Sequence, residues 1–177
     1  MNAAGRFARQ PFADVSVSEL VTTAGVQPPT LYHFFGDKEG IYVEWATTSI
    51  EEMGNRIRNG LAPPAEFHEA LTHIARCLAD PEYPDLLQVQ RDVAMLARPE
   101  SREEIMSALH QGVFEPLYAI LLVGMERRLL RTEPVRKTAA VFVAVTCSFR
   151  PGAPLHDPAS PETLDWWVDR FLRGFGA

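Results

Sequence analysis

A chain of 177 residues is long enough to bury a substantial core and to divide into one or two domains. Hydrophobic residues make up 46% and charged residues 23%, a balance that excludes intrinsic disorder and fits a folded globular protein. The net charge of −6 excludes a polybasic protein that holds nucleic acid by bulk charge, and the acidic balance extends into residues 1–45, where Arg6, Arg9 and Lys38 face five carboxylates.

Helical signals recur along the chain and strand signals do not, so the expected class is all-α. A short first helix fits Asn2 to Arg9 and closes at Gln10-Pro11. Ser16 and Glu19 then form a capping box. Val17, Leu20, Val21 and Ala24 repeat as one face of a helix over 17–24. Gly25 supplies a residue able to take positive φ and stop that helix, and Val26 tucks under the turn. Pro28 and Pro29 are tolerable only in the first turn of a new helix, which runs to Phe35 with Leu31 and Phe34 or Phe35 facing inward. A fourth helix spans about 38–59 and buries Ile41, Trp45, Ile50, Met53 and Ile57 before the break at Asn59-Gly60 and Pro63-Pro64. Later helices are expected near 65–79, 82–97, 101–130, 133–149 and 161–174. Ser101 with Glu104 reads as a second capping box, Pro116 predicts a kink or break, and Ser160-Pro161 reads as an N-cap followed by proline. Arg150-Pro151-Gly152-Ala153-Pro154 opens the one long loop.

The helices at 17–24 and 28–35, joined by a short glycine turn, have the layout of a helix-turn-helix. The second helix then presents Gln27, Thr30 and His33, with Tyr32 on its flank, groups able to bond phosphates or base edges. The residues themselves are more telling. Ala24-Gly25-Val26, Thr30-Leu31-Tyr32, and Phe35 followed by Lys38 closely resemble the TetR family of bacterial repressors over roughly residues 3 to 45. The resemblance implies a three-helix helix-turn-helix DNA-binding domain over 1–45 and a helical ligand-binding and dimerisation domain over 46–177. It further implies that Thr30 and Tyr32 hold phosphates, that Lys38 clamps the backbone, and that Gln27, Pro29 and His33 lie near base edges. Two features depart from the pattern: the chain starts almost inside its first helix, and Pro28 stands where a polar residue is usual. Both reduce phosphate contacts.

The expected activity is therefore that of a repressor released from a palindromic, double-stranded operator by a small hydrophobic inducer, acting as a cytoplasmic homodimer without a membrane partner. The alternative is a TetR-like ligand-binding or heterodimerising protein with weakened or lost DNA binding. Candidate pocket residues are Phe67, Leu71, Ile74, Leu86, Val89, Val93, Phe114 and Tyr118. The apolar stretch Val135 to Phe149 and the face carrying Leu164, Trp167, Val168 and Phe171 are the expected dimer interface, with Val141 and Val145 on the former. The longest apolar run, Thr138 to Phe149, falls short of the roughly 20 residues that span a bilayer.

Catalysis, metal and cofactors are not expected. His68 and His73 lie five positions apart, about 140° around a helix, too far for one metal. His73 and Cys77 share a face but lack a third ligand, and Cys77 and Cys147 read as buried thiols. No phosphate-binding glycine loop or nucleophile elbow is present.

Overall fold

The computed structural model describes residues 3–8, 10–24, 28–61, 66–150 and 160–176, and every regular element among them is helical. A 3-10 turn, Ala3–Arg6, precedes α1 (Val17–Ala24), α2 (Pro28–Phe35), α3 (Lys38–Gly60), α4 (Phe67–Ala79), α5 (Leu86–Val93) and α6 (Pro99–Leu109). A π-helical turn, His110–Phe114, joins α6 to α7 (Glu115–Glu126), followed by α8 (Val135–Cys147) and α9 (Pro161–Phe175).

The first helix expected from sequence is reduced to a single 3-10 turn, secured to α1 by side chains. Arg6 Nε donates to Thr23 Oγ1 at 3.0 Å, and its Nη1 pairs with Glu19 Oε1 at 3.3 Å. The capping box forms as expected: the Glu19 N–H donates to Ser16 Oγ (3.2 Å) and the Ser16 N–H to Glu19 Oε2 (2.9 Å).

The α3 helix is the spine between the N-terminal head and the body. Its buried face carries Ile41, Tyr42, Trp45, Ile50, Met53 and Ile57. Thr47 interrupts that stripe without leaving an unsatisfied group, because its hydroxyl donates to the Val43 carbonyl at 2.8 Å. Further along, Gly54 crosses Gly112 of the π turn so closely that a Cβ on Gly54 would stand 2.7 Å from Gly112 Cα.

Pro116 does not break its helix. The π turn ahead of it widens the backbone so that the Glu115 N–H donates to the His110 carbonyl, and the N–H that proline lacks is not needed for a regular α ladder. Pro99–Glu126 thus forms a continuous rod, which is long and apolar enough by composition to cross a membrane. Here it packs along α3, α4 and α8. Its start also differs from expectation. Pro99 occupies the first turn, so Ser101 lies inside α6 and accepts from Arg98 Nε (3.2 Å) instead of capping. Likewise α5 begins at Leu86, not 82, because Asp85 Oδ1 accepts the Leu87 N–H at 2.9 Å and sets the N-terminus there. Ser160 caps α9 as expected, accepting from the Thr163 N–H at 3.1 Å.

The body's core joins Leu71, Ile74 and Leu78 of α4 to Phe142 of α8 and to Leu164, Val168 and Phe171 of α9. Phe142 and Phe171 meet edge to face at 5.0 Å, and Trp167 Nε1 donates to Thr146 Oγ1 at 2.9 Å. These contacts involve much of the expected dimer face. Leu164, Val168 and Phe171 are buried within the chain, and Trp167 is spent on α8, since α9 needs its apolar face to cover α4 and α8. Val141 of α8 is exposed, Val145 is half-buried, and Trp166 is the outward aromatic of α9. Arg150 is buried at the end of this domain, donating to the carbonyls of Leu78 and Tyr83, both at 2.6 Å.

Candidate nucleic-acid interface

The geometry of α2 is set by two glycines at its C-terminal end. Gly36 takes φ 75, and its N–H donates to the Tyr32 carbonyl at 2.9 Å, closing the helix with a left-handed residue. Gly40 admits no side chain, because a Cβ there would collide with the Phe35 carbonyl. Asp37 caps α3 by accepting the Gly40 N–H at 2.8 Å. The result is a rigid corner from which α2 projects.

On that projection Pro29, Tyr32, His33, Phe34 and Phe35 are all exposed. Tyr32 shows 46% of its surface, and the His33 ring packs edge-on against Phe34 at 5.4 Å. The expectation that Phe34 or Phe35 faces the core is corrected: both edge a cleft of about 330 Å³ shared with Arg98, Glu100 and Glu104 at the start of α6. Thr30 lies within α2. Gln27, like the Gly25-Val26 turn, lies outside the described residues.

Lys38 is not extended toward an external phosphate. Its Nζ sits 4.4 Å above the Phe12 ring and 3.4 Å from the Ala13 carbonyl. Burial lowers its pKa from the ordinary value, opposed in part by Asp14 and Asp92. Arg98, a body residue that sequence spacing does not connect to the head, forms a two-point pair with Asp37 (2.9 and 3.1 Å) and lies 3.3 Å from Glu39 Oε1. Glu39 is buried and accepts the backbone N–H groups of Ala97 and Arg98 at 3.0 and 3.1 Å. Burial would raise the Glu39 pKa, but bonds from Ser101, Ala97 and Arg98 and the Arg98 charge together hold it below the ordinary value. The N-terminus of α6 is thus latched to the base of the head.

The candidate pocket residues do not share one cavity. Leu86 and Phe114 line a cavity of about 200 Å³ with Gln90, Leu109, Ala140, Val143 and Ala144, between α5, the π turn and α8. Val89 borders a different cavity beside the head. Leu71, Ile74 and Val93 are core, Tyr118 stacks on Phe114 at 5.9 Å, and Phe67 lies where a side chain on Gly124 would fall. Cys77 stays a thiol, since burial pushes it up to about 11. Among the described residues no three histidine, cysteine or carboxylate side chains gather to hold a metal.

Residues 2–44 match the sequence profile of the bacterial regulatory proteins of the tetR family. Over those residues the chain resembles the N-terminal domain of that family. No curated protein sequence matches the chain significantly. The fold of the whole chain, head and body together, is shared with solved TetR-family regulators. PfmR from Thermus thermophilus superposes with a TM-score of 0.78 at 24% identity, covering 99% of this chain and 94% of that one. The TetR family transcriptional regulator CifR, a cysteine mutant complexed with 26-bp double-strand operator DNA, gives 0.68 at 22% identity over 98% and 93%. AibR, in complex with isovaleryl coenzyme A and operator DNA, gives 0.74 at 13% identity over 98% and 94%.

Proposed function

We propose that the chain is a DNA-binding transcriptional regulator that reads its operator with α2 and is released by a small ligand bound in the helical body. The observation that carries this reading is the exposed row on α2, with Tyr32 and His33 held outward by the Gly36–Gly40 corner, inside a domain of TetR type. A short helix projecting polar groups fits the major groove, and Tyr32 suits a phosphate while His33 suits a base edge. Solved relatives in fold were captured with operator DNA, one of them with an acyl coenzyme A as well. By analogy the ligand site is the largely apolar cavity at Leu86 and Phe114, and the protein works in the bacterial cytoplasm as a homodimer.

Footprinting on DNA flanking the protein's own coding sequence, followed by affinity measurement, tests this. Tyr32→Phe removes one phosphate hydrogen bond per head, each worth about 1–1.5 kcal/mol, and should weaken binding of the dimer roughly 30- to 150-fold on any sequence. His33→Ala should instead change the preferred sequence. Protection of no site, or two variants indistinguishable from wild type, refutes the assignment. A second reading, a ligand-binding protein of this fold without DNA activity, is favoured by one observation: Arg6, Lys38 and Arg98 are all engaged within the chain. The same footprint decides between them.

A further inference from the structure

A second cavity, about 160 Å³, lies between the N-terminal turn, α3 and α5. We propose that it binds a small primary alkylammonium ion. Its lining offers two things a cation needs. Phe7 and Trp45, ring centres 5.6 Å apart, supply aromatic faces, and an ammonium within about 6 Å of such a face is attracted by the ring quadrupole. Asp85, Asp92 and Gln10 supply acceptors, and among the described residues no lysine or arginine lines the space.

Each acceptor has capacity to spare. Asp85 uses Oδ1 to cap α5. Asp92, only 1% exposed, takes one bond on each oxygen, from Tyr42 Oη at 3.2 Å and Gln88 Nε2 at 2.8 Å, which leaves further lone pairs free. Gln10 Oε1 is buried and accepts from none of the described residues. Among the described residues neither carboxylate has an ion-pair partner. Lys38 stays over the Phe12 ring, and Arg150 is spent on the Leu78 and Tyr83 carbonyls. A buried carboxylate and a buried amide oxygen around an aromatic-walled cavity are satisfied together by one donor-rich cation. At about 30 Å³ per water-sized group, the volume takes an amine of roughly four to six heavy atoms.

The walls come from both parts of the molecule: Phe7 and Gln10 precede α1, Trp45 belongs to α3, Asp85 caps α5 and Asp92 lies within it. An occupant therefore ties the head's N-terminal segment to the body. The binding step itself does not depend on the DNA reading; only its consequence for the head does.

The test uses the full chain without DNA, with calorimetric titration of n-butylammonium and 1,4-diaminobutane and n-butanol as the neutral isostere. Saturable one-to-one binding of an ammonium probe is expected, at least tenfold tighter than butanol. Asp85→Asn keeps an N-cap residue on α5 while deleting a charge, so it should preserve the fold by circular dichroism yet weaken ammonium binding at least tenfold. Gln10→Ala should weaken it in the same direction. No binding, equal binding of butanol, or an unaffected Asp85→Asn variant would overturn the proposal.

Discussion

Glu39 shows how one side chain ties the two halves of the molecule together. Its carboxylate is buried at the start of α3 and accepts two backbone N–H groups from the start of α6, with Arg98 bridging to Asp37. Because its pKa is lowered in the folded chain, the stability it contributes is fully present above about 4.5, the ordinary value, and is lost as pH falls through the folded-state value. Glu39→Gln replaces one acceptor oxygen by an NH2 that must face another donor. It should destabilise the chain by about 1–3 kcal/mol at neutral pH in urea melts. The gap to wild type should narrow as pH falls through the lowered folded-state value, where Glu39 itself becomes protonated, and a gap independent of pH would contradict the latch. None of this was legible in the sequence, where Glu39 and Arg98 lie 59 residues apart with no shared pattern.

At the scale of elements, the closest crossing is α3 over the π turn, glycine on glycine. Gly54→Ala gains up to about 1 kcal/mol of helix propensity but places its methyl 2.7 Å from Gly112 Cα and 2.9 Å from the Gly112 carbonyl, backbone atoms that cannot step aside. Overpacking should win, with a net loss of roughly 1–2 kcal/mol and a melting temperature lower by about 2–8 °C. A stabilised variant would show that the helices separate freely. Elements with local signals were readable in advance. Ser16 and Glu19, Pro28 and Pro29, and Ser160-Pro161 mark α1, α2 and α9 by their own caps, which act within a few residues. The α6–α7 rod was readable as a helical segment over 101–130, but its unbroken passage through Pro116 was not, because the π turn that accommodates the proline is a backbone adjustment with no composition of its own. Periodicity also exposed the apolar face of α9 without saying what covers it. A helix that packs on its own chain and one that packs on a second copy carry the same stripe.

That ambiguity decides how the whole molecule should be tested for pairing. A palindromic operator demands two heads related by a two-fold axis, so the body must offer a self-complementary face. The surface left after the chain has packed its own core includes Val141 on α8, 43% exposed beside Ala140 and Ala144, and Trp166 on α9, 52% exposed. We expect the interface there. Val141→Asp places its charge in water in the single chain, so the fold should survive; in a pair the charge is trapped between apolar surfaces and should give monomers by light scattering with unchanged helicity. Val168→Asp is the contrasting variant. Val168 is fully buried against α4 and α8, and a charge there should unfold the body outright, so its failure to pair says nothing about an interface. If Val141→Asp remains a dimer with an intact fold, α8 does not form the two-fold contact, and the spacing of the two recognition helices must be set by another surface.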